Sequence, residues 1–110
     1  MNIFKRFKAM LRLKEAIRLA DKAHKETGNR YYVLPNGNKG KLMIVDRANF
    51  RKLKQKNYLP RKMYIYDITQ YCFYCTPYKD GRGKLSKKEI ESKRELYIKF
   101  LIDIENVGKK

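Results

Sequence analysis

Two cysteines, Cys72 and Cys75, stand at C-x-x-C spacing inside the most aromatic stretch of the chain. The stretch 58–78 holds both of them and seven of the fourteen aromatic residues, six of the seven being Tyr. Such a pair can do two kinds of chemistry. A thiol redox centre needs its first sulfur at a helix N-terminus, where the dipole lowers the thiol pKa, and a βαβ context. Here the pair follows strand-like sequence, and Pro77 stops any helix that would open there. In an extended strand an odd separation also sends the two sulfurs to opposite faces. A structural zinc site needs four ligands. The chain offers two Cys and one His, His24, in a basic helical segment. The residues therefore predict buried, inert thiols, with no metal and no cofactor.

Other catalytic constellations are missing. His24 has no nucleophile in its vicinity and reads as a surface residue near a helix end. Arg82-Gly83-Lys84 follows Gly81 but lacks the G-x-x-x-x-G-K-[ST] frame of a phosphate loop, so it reads as an ordinary basic loop. The carboxylates are scattered, with no pair at useful spacing. No catalytic residue, no small-molecule substrate and no enzyme activity is expected.

What remains is binding. Tyr faces that stack on bases, with Lys and Arg on phosphates, hold single-stranded nucleic acid. The aromatic core motif of an RNA-recognition sheet is absent, and the same tyrosines also suit a protein core or an interface. The charge balance favours an anionic partner in either case. Against 28 Lys and Arg stand 11 Asp and Glu, a net charge of +17. The surplus lies in the first three quarters of the chain, and from position 47 to 66 there are seven basic residues and no acid. Nucleic acid, an anionic membrane surface or an acidic protein would each relieve the self-repulsion. No apolar run approaches the ~20 residues of a membrane span. The first residues lack the apolar core of a secretory signal, and two cysteines make no disulfide framework, so a reducing, cytosolic history is expected.

The elements that must position these residues follow from periodicity. Residues 2–26 predict one long helix, closed by Gly28 in a left-handed cap. Its apolar stripe changes face: Ile3, Phe4, Phe7, Met10 and Leu11 come first, then Leu13, Ala16, Ile17, Ala20 and Ala23. The segment 1–12 is accordingly read as a docking arm and 13–110 as a single domain. Residues 30–34 and 41–45 predict two strands around an Asn-Gly turn. The unbroken Leu-Met-Ile-Val run of the second marks a strand buried on both faces or covered by a helix. Asp46 then caps a short helix to about 56, which lines up Arg47, Arg51 and Lys54. Residues 61–66 predict a third strand. The segment 67–71 leaves its state open, one helical turn capped by Asp67 being one fit, and 72–76 returns to strand. Ser86 and Glu89 form a capping box, opening a last helix to about 106 with a broad apolar surface. The fold class is thus α+β: a long N-terminal helix, a small antiparallel sheet, a short basic helix, and a C-terminal helix packed on the sheet.

Three strings taken together, Arg30-Tyr31-Tyr32-Val33, Asp46-Arg47-Ala48-Asn49-Phe50-Arg51-Lys52-Leu53-Lys54 and Cys72-Phe73-Tyr74-Cys75-Thr76-Pro77, along with the Ser86 capping box, resemble small basic virion proteins of crAss-like tailed phages of Bacteroidales, and among these the auxiliary capsid proteins. The resemblance runs from about residue 30 to 104. It implies a virion component made in the host cytoplasm, without enzyme activity, whose partners are the major capsid protein or other virion proteins. DNA or RNA is the alternative partner. On either reading Arg47, Arg51, Lys54, Arg61 and Lys62 are expected to meet an anionic surface. Phe4, Phe7, Tyr64 and Tyr66 are expected to anchor an interface.

Overall fold

A computed structural model describes residues 1–37, 39–56 and 65–108. The first helix, α1 (Ile3–Thr27), starts where Asn2 takes the Lys5 amide onto its side chain at 2.8 Å. It ends at Gly28, whose φ of 80° is the left-handed conformation that glycine adopts without steric cost. Two strands follow, β1 (Tyr31–Pro35) and β2 (Leu42–Asp46), paired antiparallel with Val33 opposite Ile44. Asp46 caps the next helix, α2 (Arg47–Gln55), by accepting the Asn49 amide at 2.9 Å. Then come α3 (Ile65–Tyr71), a two-residue strand β3 (Tyr74–Cys75), and α4 (Lys87–Gly108). The capping box forms as expected: the Ser86 hydroxyl accepts the Glu89 amide, and the Glu89 carboxylate accepts the Ser86 amide.

The sheet is antiparallel in the order β2-β1-β3, so β1 is central. Its side chains alternate between two cores. Val33 points into one made by Ala9, Leu13, Ala16 and Ala20 of α1, Phe73, and Tyr97, Ile98 and Leu101 of α4. Tyr32 and Leu34 point into the other, with Val45, Phe50, Ile68, Cys72 and Cys75. The sheet is therefore covered by helices on both sides, α1 and α4 on one and α2 and α3 on the other. Double coverage is why the β2 sequence shows no polar alternation. The fold is α+β with the C-terminal helix on the sheet. Three alanines in the buried stripe of α1 let its backbone approach closely, and the wider apolar surface of α4 wraps the sheet edge. Phe73 fills the space between them, its ring centroid 4.9 Å from Tyr97 and 5.5 Å from Phe100.

Two expectations are corrected. Residues 65 and 66, assigned to a third strand, open α3 instead, and Asp67 lies inside that helix rather than capping it. Ile68 and Cys72, four apart, are both fully buried in one core, so the helical period governs from residue 65 on, while 61–64, the rest of the expected strand, lie outside the described residues. The third strand is β3, within the 72–76 span expected to return to strand. The second correction concerns the sulfurs. Cys72 sits in the bend that leads from α3 into β3, not in extended chain. The bend turns both thiols into the same core, where the Cys72 thiol donates to the Thr69 carbonyl at 3.5 Å.

Candidate functional site

The two sulfurs are the chemical centre of the second core. Both cysteines are free and fully buried. The Arg30 guanidinium, at the entry to β1, donates from Nη2 to Cys75 Sγ at 3.2 Å. The Lys93 ammonium of α4 lies 3.5 Å from Cys72 Sγ and also donates to the carbonyls of Thr69 (2.6 Å) and Cys72 (3.0 Å), closing the C-terminal end of α3. The neighbouring Cys72 thiol holds the Cys75 thiol below the ordinary thiol range; burial opposes this, and Arg30 adds to it. The Cys75 sulfur beside it, with burial, pushes Cys72 far up. The arrangement is a pair of buried sulfurs with one cation against each, Arg30 on Cys75 and Lys93 on Cys72.

Arg30 links this centre to the surface. Its Nε donates to the Thr76 carbonyl at 2.8 Å and its Nη2 also to the Gly83 carbonyl at 3.1 Å. Its face lies 4.3 Å from the ring centroid of Tyr78 and 5.6 Å from that of Tyr32. The other side of this stack opens into a cleft of about 380 Å³, lined among others by Arg30, Tyr32, Arg47, Tyr78 and Lys79. Three of those side chains are basic.

The second candidate surface is on α1. Ile3, Phe4, Phe7 and Leu11 are exposed at 77%, 76%, 63% and 51%. At 100° per residue they lie roughly half a turn from the buried Ala9-Leu13-Ala16-Ala20 stripe. Met10, grouped with them by sequence, packs against the core instead. The helix is continuous through both segments. Its first turns are held to α4 by Lys5–Glu105 (3.3 Å) and Arg6–Glu95 (3.0 Å) ion pairs.

The expected site residues divide as follows. Phe4 and Phe7 stand in solvent on the arm. Arg47 and Arg51 are exposed on α2, and Arg47 lines the cleft. Arg61, Lys62 and Tyr64, and the side chains of Lys54 and Tyr66, lie outside the described residues. His24 sits in the last turn of α1, its Nδ1 2.8 Å from the Asn29 carbonyl oxygen. Sequence reasoning missed Arg30, Tyr78, Lys79 and Lys93. Arg30 begins a strand and Tyr78 and Lys79 begin a loop, positions whose convergence only the β1–β3 pairing decides. Lys93 carried one signal: it is a lone cation flanked by Ile90 and Leu96-Tyr97 on an otherwise apolar helix face. Among the described residues no three His, Cys, Asp or Glu gather in one place, and no helix is long and apolar enough to cross a membrane. No family model, no curated protein and no solved structure matches the chain.

Proposed function

We propose that the chain is a non-enzymatic structural protein of a phage virion, an auxiliary capsid protein that sits between capsid subunits and contacts the major capsid protein. One observation carries this reading: four large apolar side chains, Ile3, Phe4, Phe7 and Leu11, are held in solvent on a helix whose opposite side is anchored in the core. Contiguous exposed apolar surface of this kind marks a contact site, and a rigid helix presents it without an ordering cost at binding. Exposed basic residues flank it, Lys8 and Lys14. They favour an acidic rim on the partner, and a net charge of +17 disfavours a second copy. The resemblance given above supplies the partner class. Arg47, Arg51, Lys54, Arg61 and Lys62 then meet acidic subunit surface, with Tyr64 and Tyr66 as further anchors. The test is reconstitution of capsids with the wild-type chain and with Phe4→Ser/Phe7→Ser. The wild type joins the particles and the variant does not. Particles that assemble and retain DNA equally well without the chain overturn the reading.

A second reading, nucleic-acid binding, is favoured by the cleft in which Arg47 and Lys79 stand beside the Arg30–Tyr78 stack. Its signature is salt. Six to ten phosphate contacts weaken affinity by roughly 10³–10⁵ between 50 and 200 mM. A flat salt response removes it.

A further inference from the structure

We infer that Cys75 is a hydrogen-peroxide-reactive sulfur and Cys72 its resolving thiol, so that the bend between α3 and β3 closes to a disulfide on oxidation. The inference is independent of any capsid role. Its basis is the placement of four groups. Cys75 Sγ accepts a hydrogen bond from Arg30 Nη2 at 3.2 Å. The Lys93 ammonium stands on the far side of the pair, 3.5 Å from Cys72 Sγ. A guanidinium on Cys75 and an ammonium on its partner cysteine stabilise a thiolate at Cys75, the form that reacts. Cys72 lies three residues before Cys75 across the bend, and both are buried in the same core, so the second sulfur is at hand.

The step balances in two parts. The Cys75 thiolate attacks one oxygen of hydrogen peroxide. An S–O bond forms, the O–O bond breaks, and the departing hydroxide takes up a proton to leave as water. Cys72 sulfur then attacks the sulfenic sulfur. The S–S bond forms, the S–O bond breaks, and the released hydroxide takes the Cys72 proton as a second water. Two thiols are oxidised by two electrons and one peroxide is reduced. The fold selects the oxidant by size. Both sulfurs are fully buried, and Arg30, which lines the cleft, stands between Cys75 and solvent. A molecule near the size of water, hydrogen-bonded by guanidinium N–H groups, suits that route. The tripeptide arms of glutathione disulfide do not.

The experiment treats the reduced, folded chain with hydrogen peroxide at neutral pH and follows intact mass and peptide maps. The expected result is a loss of about 2 Da with Cys72 linked to Cys75. Cys72→Ser stops at a Cys75 sulfenic acid that a dimedone-type probe captures, and Cys75→Ser reacts at least ~10-fold more slowly. Glutathione disulfide at the same concentration leaves the folded chain unmodified. Native thiols that survive peroxide while those of the denaturant-unfolded chain react would overturn the inference, and so would equal reactivity of the two single variants or a glutathione adduct on the folded chain. The wild-type arm needs no variant to fold, so it decides the matter even if one of the substitutions is unstable.

Discussion

Arg30 Nη2 lies 3.2 Å from Cys75 Sγ, and the same guanidinium reaches the carbonyls of Thr76 and Gly83 and stacks on Tyr78. One side chain thus ties the entry of β1 to the chain leaving β3 and to the glycine loop before α4. It also sets a charge beside a titrating sulfur, which gives folding a pH dependence.

The direction of that dependence follows from the lowered Cys75 thiol, shifted by the neighbouring Cys72 thiol against burial, with Arg30 and Lys93 assisting. Between its depressed value and the ordinary thiol value, about 8.5, the unfolded chain holds a proton that the native chain has released, so stability rises with pH. The contribution is fully present above the ordinary value and is lost as pH falls through the depressed one. Cys72, Tyr32 and Tyr74 are shifted upward, Cys72 by the neighbouring Cys75 sulfur and by burial, the tyrosines by burial. Each therefore withdraws stability only on the alkaline side. Denaturant unfolding from about pH 5 to about pH 9 is expected to show a slope in the wild type that Cys75→Ser lacks. Parallel curves for the two proteins would remove Cys75 as the source.

Gly40 is a steric pinch. Its φ is +80°, and a Cβ there would stand 2.9 Å from Leu101 Cδ2 and 3.2 Å from Arg12 Nη1. Backbone strain and crowding act together, so Gly40→Ala is expected to cost about 1–3 kcal/mol. Gly37, with a similar φ but nothing within 4 Å, carries only the strain and should lose less. Paired thermal melts of the two variants check the order.

Tyr97 supplies the hydrogen bonds at the same place. Its buried hydroxyl donates to the Gly40 carbonyl at 2.7 Å and accepts from Arg12 Nη1 at 2.9 Å. Arg12 also reaches that carbonyl at 3.1 Å. Tyr97→Phe leaves the ring packing against Phe73 intact but removes both bonds, for an expected loss of about 1–2 kcal/mol. Because Arg12 still covers the carbonyl, a loss above about 3 kcal/mol would mean the ring itself had moved.

Phe4 and Phe7 predict the opposite pattern. Both rings are in solvent, so Phe4→Ser/Phe7→Ser should leave the unfolding free energy within about 0.5 kcal/mol per site while abolishing partner binding. A large loss of stability would show that the arm packs on its own domain.

Elements with strong local signals were legible in the sequence. Asn2 and Gly28 bracket α1, Asp46 opens α2, and Ser86 with Glu89 opens α4. Each is a short-range hydrogen-bonding device that acts wherever the chain places it. The change of face in α1 was legible too, because it depends only on the helical period. What escaped was set by pairing at a distance. Segment 63–66 alternates like a strand, yet the burial of Ile68 and Cys72 pulls its end into α3. The approach of the two sulfurs depends on a bend whose residues, Cys72 and Phe73, have no turn chemistry of their own. Phe73 is drawn in by its amide, which donates to the Val33 carbonyl at 2.9 Å, and by its packing on Tyr97. Arg30 and Lys93 became site residues only because β3 pairs with β1 and Lys93 of α4 reaches the carbonyls at the end of α3.

The central position of β1 bears on how the molecule comes apart. Each of its inner residues belongs to one helical layer or the other, Val33 to the first and Tyr32 and Leu34 to the second. Stripping away either layer would leave a strand with one wet apolar side and no local means of compensating for it. Neither half has a hydrophobic nucleus that is complete without these few residues. Melting is therefore expected as one all-or-none event, with circular dichroism and tyrosine fluorescence tracing the same curve.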